Sequence, residues 1–156
     1  MLKKIGTMLS QLLILCCMAA AQGSPSANDW KPVEQALGRS GQQQPDGAYK
    51  FGLPRGDLNV SVDGVQVKPT LALGSWLAFS SPGENAMVMG DLVLAEDEVS
   101  PVMQALQEHG LEVTALHNHM LQEQPRLFFM HFWADEDALK LARGLRAALD
   151  QTNSKK

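Results

Sequence analysis

After residue 86 the apolar pattern of this chain changes period and changes back, and that alternation restricts the fold more than any other feature. Residues 86 to 95, AMVMGDLVLA, form a short β-rich run. From Asp97 to His109 the apolar positions Val99, Val102, Met103 and Leu106 recur at helical spacing, and Gly110 stands where a left-handed helix terminator belongs. Pro101 suits only a first helical turn, which sets the start near Asp97 or Ser100. Residues 111 to 119 and 126 to 134 are β-rich again, with MLQEQP between them. A last helix from Asp135 to Asp150 turns Ala138, Leu141, Ala142, Leu145 and Leu149 to one side. Strand, helix, strand, strand, helix predicts an α+β domain: a largely antiparallel sheet with helices on one face.

The preceding residues add strands to that core. Asp29 can cap a short helix whose stripe is Val33, Ala36 and Leu37 and whose stop is Gly38. Residues 40 to 47 form a loop. YKFGLPR and DLNVSVDGVQVKP are extended, and Asp63-Gly64 marks a tight turn in the second. TLALGSWLAFS, residues 70 to 80, is a further expected strand. The expected architecture is a ferredoxin-like core with an N-terminal β extension, one domain over residues 29–150, and a frayed tail at 151–156. A chain of 156 residues supports one modest core of this kind.

The first 21 residues have a different logic. Lys3 and Lys4 precede the apolar run Leu12 to Met18, and Ala19-Ala20-Ala21 follows. This is the layout of a signal peptide cleaved near Ala21, with residues 22–28, QGSPSAN, as a polar tether. The apolar run falls short of the ~20 residues a membrane span needs, so the mature chain is expected to have no transmembrane segment. The mature chain is expected to be periplasmic or secreted. Both cysteines, Cys16 and Cys17, lie within the leader, so no disulfide framework is expected, and Leu15 before Cys16 argues against lipid anchoring. Without residues 1–21 the chain has 11 basic residues against 17 acidic ones, a charge of −6, and no basic run. A nucleic-acid role lacks its electrostatic footprint.

Three of the four histidines fall within VTALHNHMLQEQPRLFFMHFW, residues 113 to 133. Strand side chains alternate, so His117 and His119 share a face. If 111–119 and 127–134 form a hairpin with residue 119 opposite 127, His131 lies opposite Ala115 and diagonal to His117 on that same face. Diagonal neighbours stand ~7–8 Å apart at the backbone, close enough for imidazoles to meet on one ion. A one-residue slip would turn His131 away. His-x-His plus a third histidine from the next strand is a ligand set of catalytic zinc sites, with copper second. Glu123 in the connecting loop is the expected base or extra ligand, and Arg55 or Arg126 the expected holder of a small anionic ligand. The alternatives are a polar network inside a buried strand, a metal-free ligand pocket, or a histidine-bearing face that makes a homodimer. Arg55 and Asp57 are also spaced to pair locally across a turn, Trp76 and Trp133 are expected in the core, and His109 is expected to answer a helix dipole rather than a metal.

The segments PRGDLNV, WLAF, MGDLVL, EVSPVMQALQEHGLEVTALHNHML and EQPRLFFMHFWA together resemble the LppY/LpqO-type domain of bacterial exported proteins and lipoproteins over roughly residues 30–150. The resemblance implies an extracytoplasmic protein and, because some longer relatives carry two copies, a pairing of two chains. It implies no reaction and no cofactor. The functional expectation from the residues is an exported protein with a three-histidine metal site, as a hydrolase or lyase, or else a non-enzymatic binding module or a homodimerising domain.

Overall fold

A computed structural model describes residues 29–80 and 85–154, so the expected leader and tether at 1–28 lie outside the described residues. The elements in chain order are α1 (Lys31–Leu37), β1 (Gln42–Gln43), β2 (Tyr49–Pro54), β3 (Ser61–Val62), β4 (Val65–Gln66), α2 (Pro69–Ala72), β5 (Gly74–Ser80), β6 (Ala86–Ala95), α3 (Glu96–Glu108), β7 (Glu112–His117), β8 (Glu123–Gln124), β9 (Leu127–Glu136) and α4 (Ala138–Leu149). The main sheet has the order β1-β2-β5-β6-β9-β7, with every neighbouring pair antiparallel. A small second sheet has the order β4-β3-β8. No described helix is long and apolar enough to cross a membrane.

The α+β class with a largely antiparallel sheet is what the sequence predicts. Strands β6 and β7 both run antiparallel to β9, so they are parallel to each other and α3 is their crossover. That split arrangement is the ferredoxin-like unit. Its fourth strand position, beside β6, is filled by β5, which comes before the unit rather than after it.

One face of the main sheet carries the larger core, and a smaller buried cluster of Val60, Leu73, Val93, Leu127 and Phe129 lies on the other. Phe51, Leu77, Phe79, Val88, Leu92, Leu94, Met130 and Phe132 are buried with Val33 and Leu37 of α1, Val102 and Leu106 of α3, and Leu141 and Leu145 of α4. Gly90 lies opposite Phe132, and a Cβ there would come 2.4 Å from the Phe132 ring, so only glycine admits that ring. At the end of α1, Gly38 takes φ 71° and returns its N–H to the Gln35 and Glu34 carbonyls, the stop expected of it.

Several local expectations change; the last helix starts at Ala138 rather than Asp135 because β9 runs on to Glu136, and the expected loop 40–47 contains the short strand β1. Residues 70–72 of the expected strand 70–80 belong instead to a single helical turn, Pro69–Ala72, because Pro69 sits at its first position and Lys68 before it is extended. Helix α3 starts at Glu96, leaving Pro101 in its second turn. The start is held there because the Glu98 carboxylate accepts the Ala95 N–H at 2.9 Å. Trp76 and Trp133 lie outside the core. They face away from the helices, where Lys50 Nζ stands 4.7 Å over the Trp76 ring and Trp133 donates to Glu112.

Arg55 is the most deeply placed charge, at 1% exposure. It pairs with Asp57 at 2.9 and 2.7 Å, as its spacing suggests, and also with Glu98 at 2.8 and 3.1 Å and with the Val93 carbonyl. Glu98 further accepts the Asn153 N–H, so one carboxylate joins the β2 end, α3 and the C-terminal segment. Removing it would leave the buried guanidinium with Asp57 as its one carboxylate and would take the acceptor from the Ala95 and Asn153 N–H groups. Glu98→Ala is expected to lower unfolding free energy by about 3–5 kcal/mol, measured by urea denaturation. A change below about 1 kcal/mol, the range of an exposed pair, would show that the network contributes little.

Candidate functional site

The sheet face away from the helices is built by its register. Trp76, Asp91, His131 and Ala115 are successive partners across β5, β6, β9 and β7. In the next row Val93 pairs with Phe129, and Phe129 with His117. The pairing of Ala115 with His131 is the register in which His131 shares a face with His117. Met130, of opposite parity, is buried in the core on the other face.

The imidazoles meet pairwise. His117 Nε2 and His131 Nε2 are 3.1 Å apart, with ring centroids at 5.0 Å. The His119 ring is 5.0 Å from the His117 ring and lies stacked on Phe129, 3.4 Å between centroids and 13° between planes. As the rings stand, no group of three or more His, Cys, Asp or Glu side chains among the described residues is arranged to hold a metal ion. Two nitrogens converge, and the third ring lies beside them on the aromatic floor.

The sequence reading missed the carboxylate among them. Asp91 is 8% exposed, and its Oδ1 is buried with no hydrogen-bond partner. Burial pushes its carboxyl above the usual carboxylate range, while His131, His119 and His117 pull it back down. Its signal in the sequence was a single acid inside the apolar strand AMVMGDLVLA. Such a residue is rarely buried without a task.

The other expected site residues lie elsewhere. Glu123 is on β8, paired with Val62 of the small sheet. It is 3% exposed, accepts the Leu127 N–H and lies 3.8 Å from Arg126. Arg126 is exposed and donates to the Leu121 carbonyl and to Asn118 Oδ1. These two residues face a separate hollow with Asp63 and Ser61. Arg55 is held in the ion network already described. Only Asp91, His119 and Phe129 of the histidine face reach a cleft of about 470 Å³, whose other walls are the ends of β2 and β5 and the turn α2. His109 is held apart by a 2.9 Å contact from its Nδ1 to the Ala105 carbonyl.

A family model matches at the level of sequence. The domain of unknown function DUF1259, also labelled DUF1529, covers residues 31–151. The chain belongs to this uncharacterised domain family. No curated protein and no solved structure matches the chain. The family's span takes in every strand of the histidine face and leaves the reaction open.

A carboxyl with a raised pKa binds more protons in the folded than in the unfolded chain between its two pKa values. Stability therefore falls as pH rises through that window and stays reduced above it. Chelator-treated Asp91→Asn protein is expected to match or exceed the wild type in thermal stability at pH 7. The gain should vanish below about pH 4, where the unfolded carboxyl is itself protonated. A lower melting temperature at pH 7 would show instead that the carboxylate stabilises the metal-free fold.

Proposed function

We propose that His117, His119 and His131 bind a transition metal of the zinc class on the open face of the sheet. Asp91 takes the base role first expected of Glu123. The observation that carries this reading is the 3.1 Å approach of two imidazole Nε2 atoms. Two nitrogens at a zinc bond length of ~2.0–2.1 Å and a tetrahedral angle stand about 3.3 Å apart, so little movement of this pair is needed to seat an ion. His119 must turn off Phe129 to complete the set, and its exposed position leaves it room to do so. Nitrogen ligands in this number suit zinc better than a hard oxygen-seeking ion.

An ion held by three neutral imidazoles keeps a position for water and lowers that water's pKa to ~7. Asp91 is the group on this face fitted to take the proton, because burial has already made it a stronger base than an exposed carboxylate. The reaction class is hydrolysis or lyase-type addition and elimination on a small molecule in the adjoining cleft. We further read the chain as an LppY/LpqO-type exported protein acting outside the cytoplasm. The support is the leader-like pattern of residues 1–21 and the HNHM and PRLFFMHFW segments.

A second reading has its own observation. Met87, Met89 and Trp133 are 37%, 49% and 37% exposed on the same sheet face, an apolar strip beside the histidines. This favours pairing of two copies, and it is compatible with the metal site.

Protein stripped with chelator and dialysed against zinc is expected to retain one equivalent per chain by elemental analysis. His117→Ala and His131→Ala should each weaken zinc binding at least 100-fold, whereas Asp91→Asn, which removes a neighbouring negative charge but no ligand nitrogen, should weaken it by roughly 10-fold. Binding should weaken as the solution is acidified, because protons compete with the metal for the same nitrogens. Retention of zinc by the His117→Ala, His131→Ala double variant would end the proposal.

A further inference from the structure

The cleft beside His119 and Asp91 has a composition that selects a ligand. Its walls include Leu53, Pro54, Leu71 and Phe129, and no lysine or arginine lines it. Two of its lining positions, Gly52 on β2 and Gly74 at the start of β5, carry no side chain. A Cβ built at either would meet nothing within 4 Å, and neither has a positive φ. Glycine inside a strand weakens it, and it is kept where a ligand or another backbone approaches closely. Among the described residues no other backbone does. The two glycines leave bare peptide along the cleft, next to the Phe129 ring on which His119 is stacked. A volume of about 470 Å³ is that of a small-molecule site.

Charge narrows the class. In the metal-free protein an anion in this cleft would meet the Asp91 carboxylate with no lysine or arginine among the lining residues to offset it. A cation would meet the metal. We infer that the cleft binds a neutral small molecule, its flat apolar group laid over the peptides of Gly52 and Gly74 and its polar end directed to His119 and Asp91. The exclusion of cations rests on the metal reading, whereas the flat apolar subsite and its rejection of anions rest on the cleft itself. Leu71, 75% exposed on the one-turn helix α2, stands where it can cover such a group once bound.

The test uses benzamide and benzoate, which share a ring and differ in charge, on zinc-free and zinc-loaded protein by amide chemical-shift titration. In zinc-free protein benzamide is expected to shift Gly52, Gly74 and Phe129 with a Kd on the order of millimolar, as befits a fragment. Benzoate should bind at least 10-fold more weakly. Gly74→Leu, at a position where a Cβ meets nothing within 4 Å, puts a side chain into the cleft and should abolish benzamide binding while leaving zinc stoichiometry at the wild-type value. Leu71→Glu, at an exposed position that cannot disturb the core, should weaken benzamide at least 3-fold and keeps the test valid if Gly74→Leu does not fold. Benzoate binding as well as benzamide, absence of shifts at these amides, or benzamide affinity unchanged in both variants would overturn the inference. Absence of zinc with benzamide bound as described would remove the metal reading and leave the subsite standing.

Discussion

The antiparallel ladder between β6 and β9, extended by β7, is the constraint on which the rest of the structure depends. Side chains alternate along every strand, so this one register sends Val88, Leu92, Met130 and Phe132 into the helical layer and Asp91, His131 and Phe129 to the opposite face. A slip of one residue would bury His131 against the helices and expose Met130. The hydrophobic core therefore fixes which side chains share the histidine face, and the residues that make the slip costly are not those on that face. Gly90 tightens this coupling, since the Phe132 ring occupies the space its side chain would need.

The open face combines features that do not favour stability alone. A buried carboxylate oxygen lacks a hydrogen-bond partner, three imidazoles crowd one another, and methionine and tryptophan side chains remain exposed beside them. Each opposes folding slightly, and such features persist in natural proteins chiefly where function requires them. The opposite pole is the Arg55, Asp57 and Glu98 network, where charges just as deep are fully paired. Two of the buried acids thus have contrasting fates. Glu98 ties elements together, whereas Asp91 keeps a buried oxygen without a hydrogen-bond partner.

Much of this was legible in the sequence, and the reasons for the gaps are physical. The period changes of residues 86–150 specify the helices and strands of the core because amphipathic periodicity is a local property. The histidine parity was legible too, since the His-x-His spacing and an in-register hairpin leave one face for His117 and His131. Asp91 was not, because its importance comes from a partner strand 40 residues away in the chain, His131 opposite it. Arg55 illustrates the same limit. Its pairing with Asp57 across two residues can be read locally, but its contact with Glu98, 43 residues on, cannot. Glu123 sits in the chain segment that joins the histidine strands, yet its own two-residue strand joins the small sheet and turns it away. Proximity along the chain did not carry over into space there.

The central claim is that His117 and His131 approach each other in order to share an ion rather than a proton. Anomalous diffraction at the zinc edge, from crystals grown with zinc, tests it most directly. The account predicts a single strong peak about 2.0–2.2 Å from both Nε2 atoms, with the His119 ring turned away from Phe129 to meet it. A map with no peak between these nitrogens, and the rings still in direct hydrogen-bond contact, would contradict it.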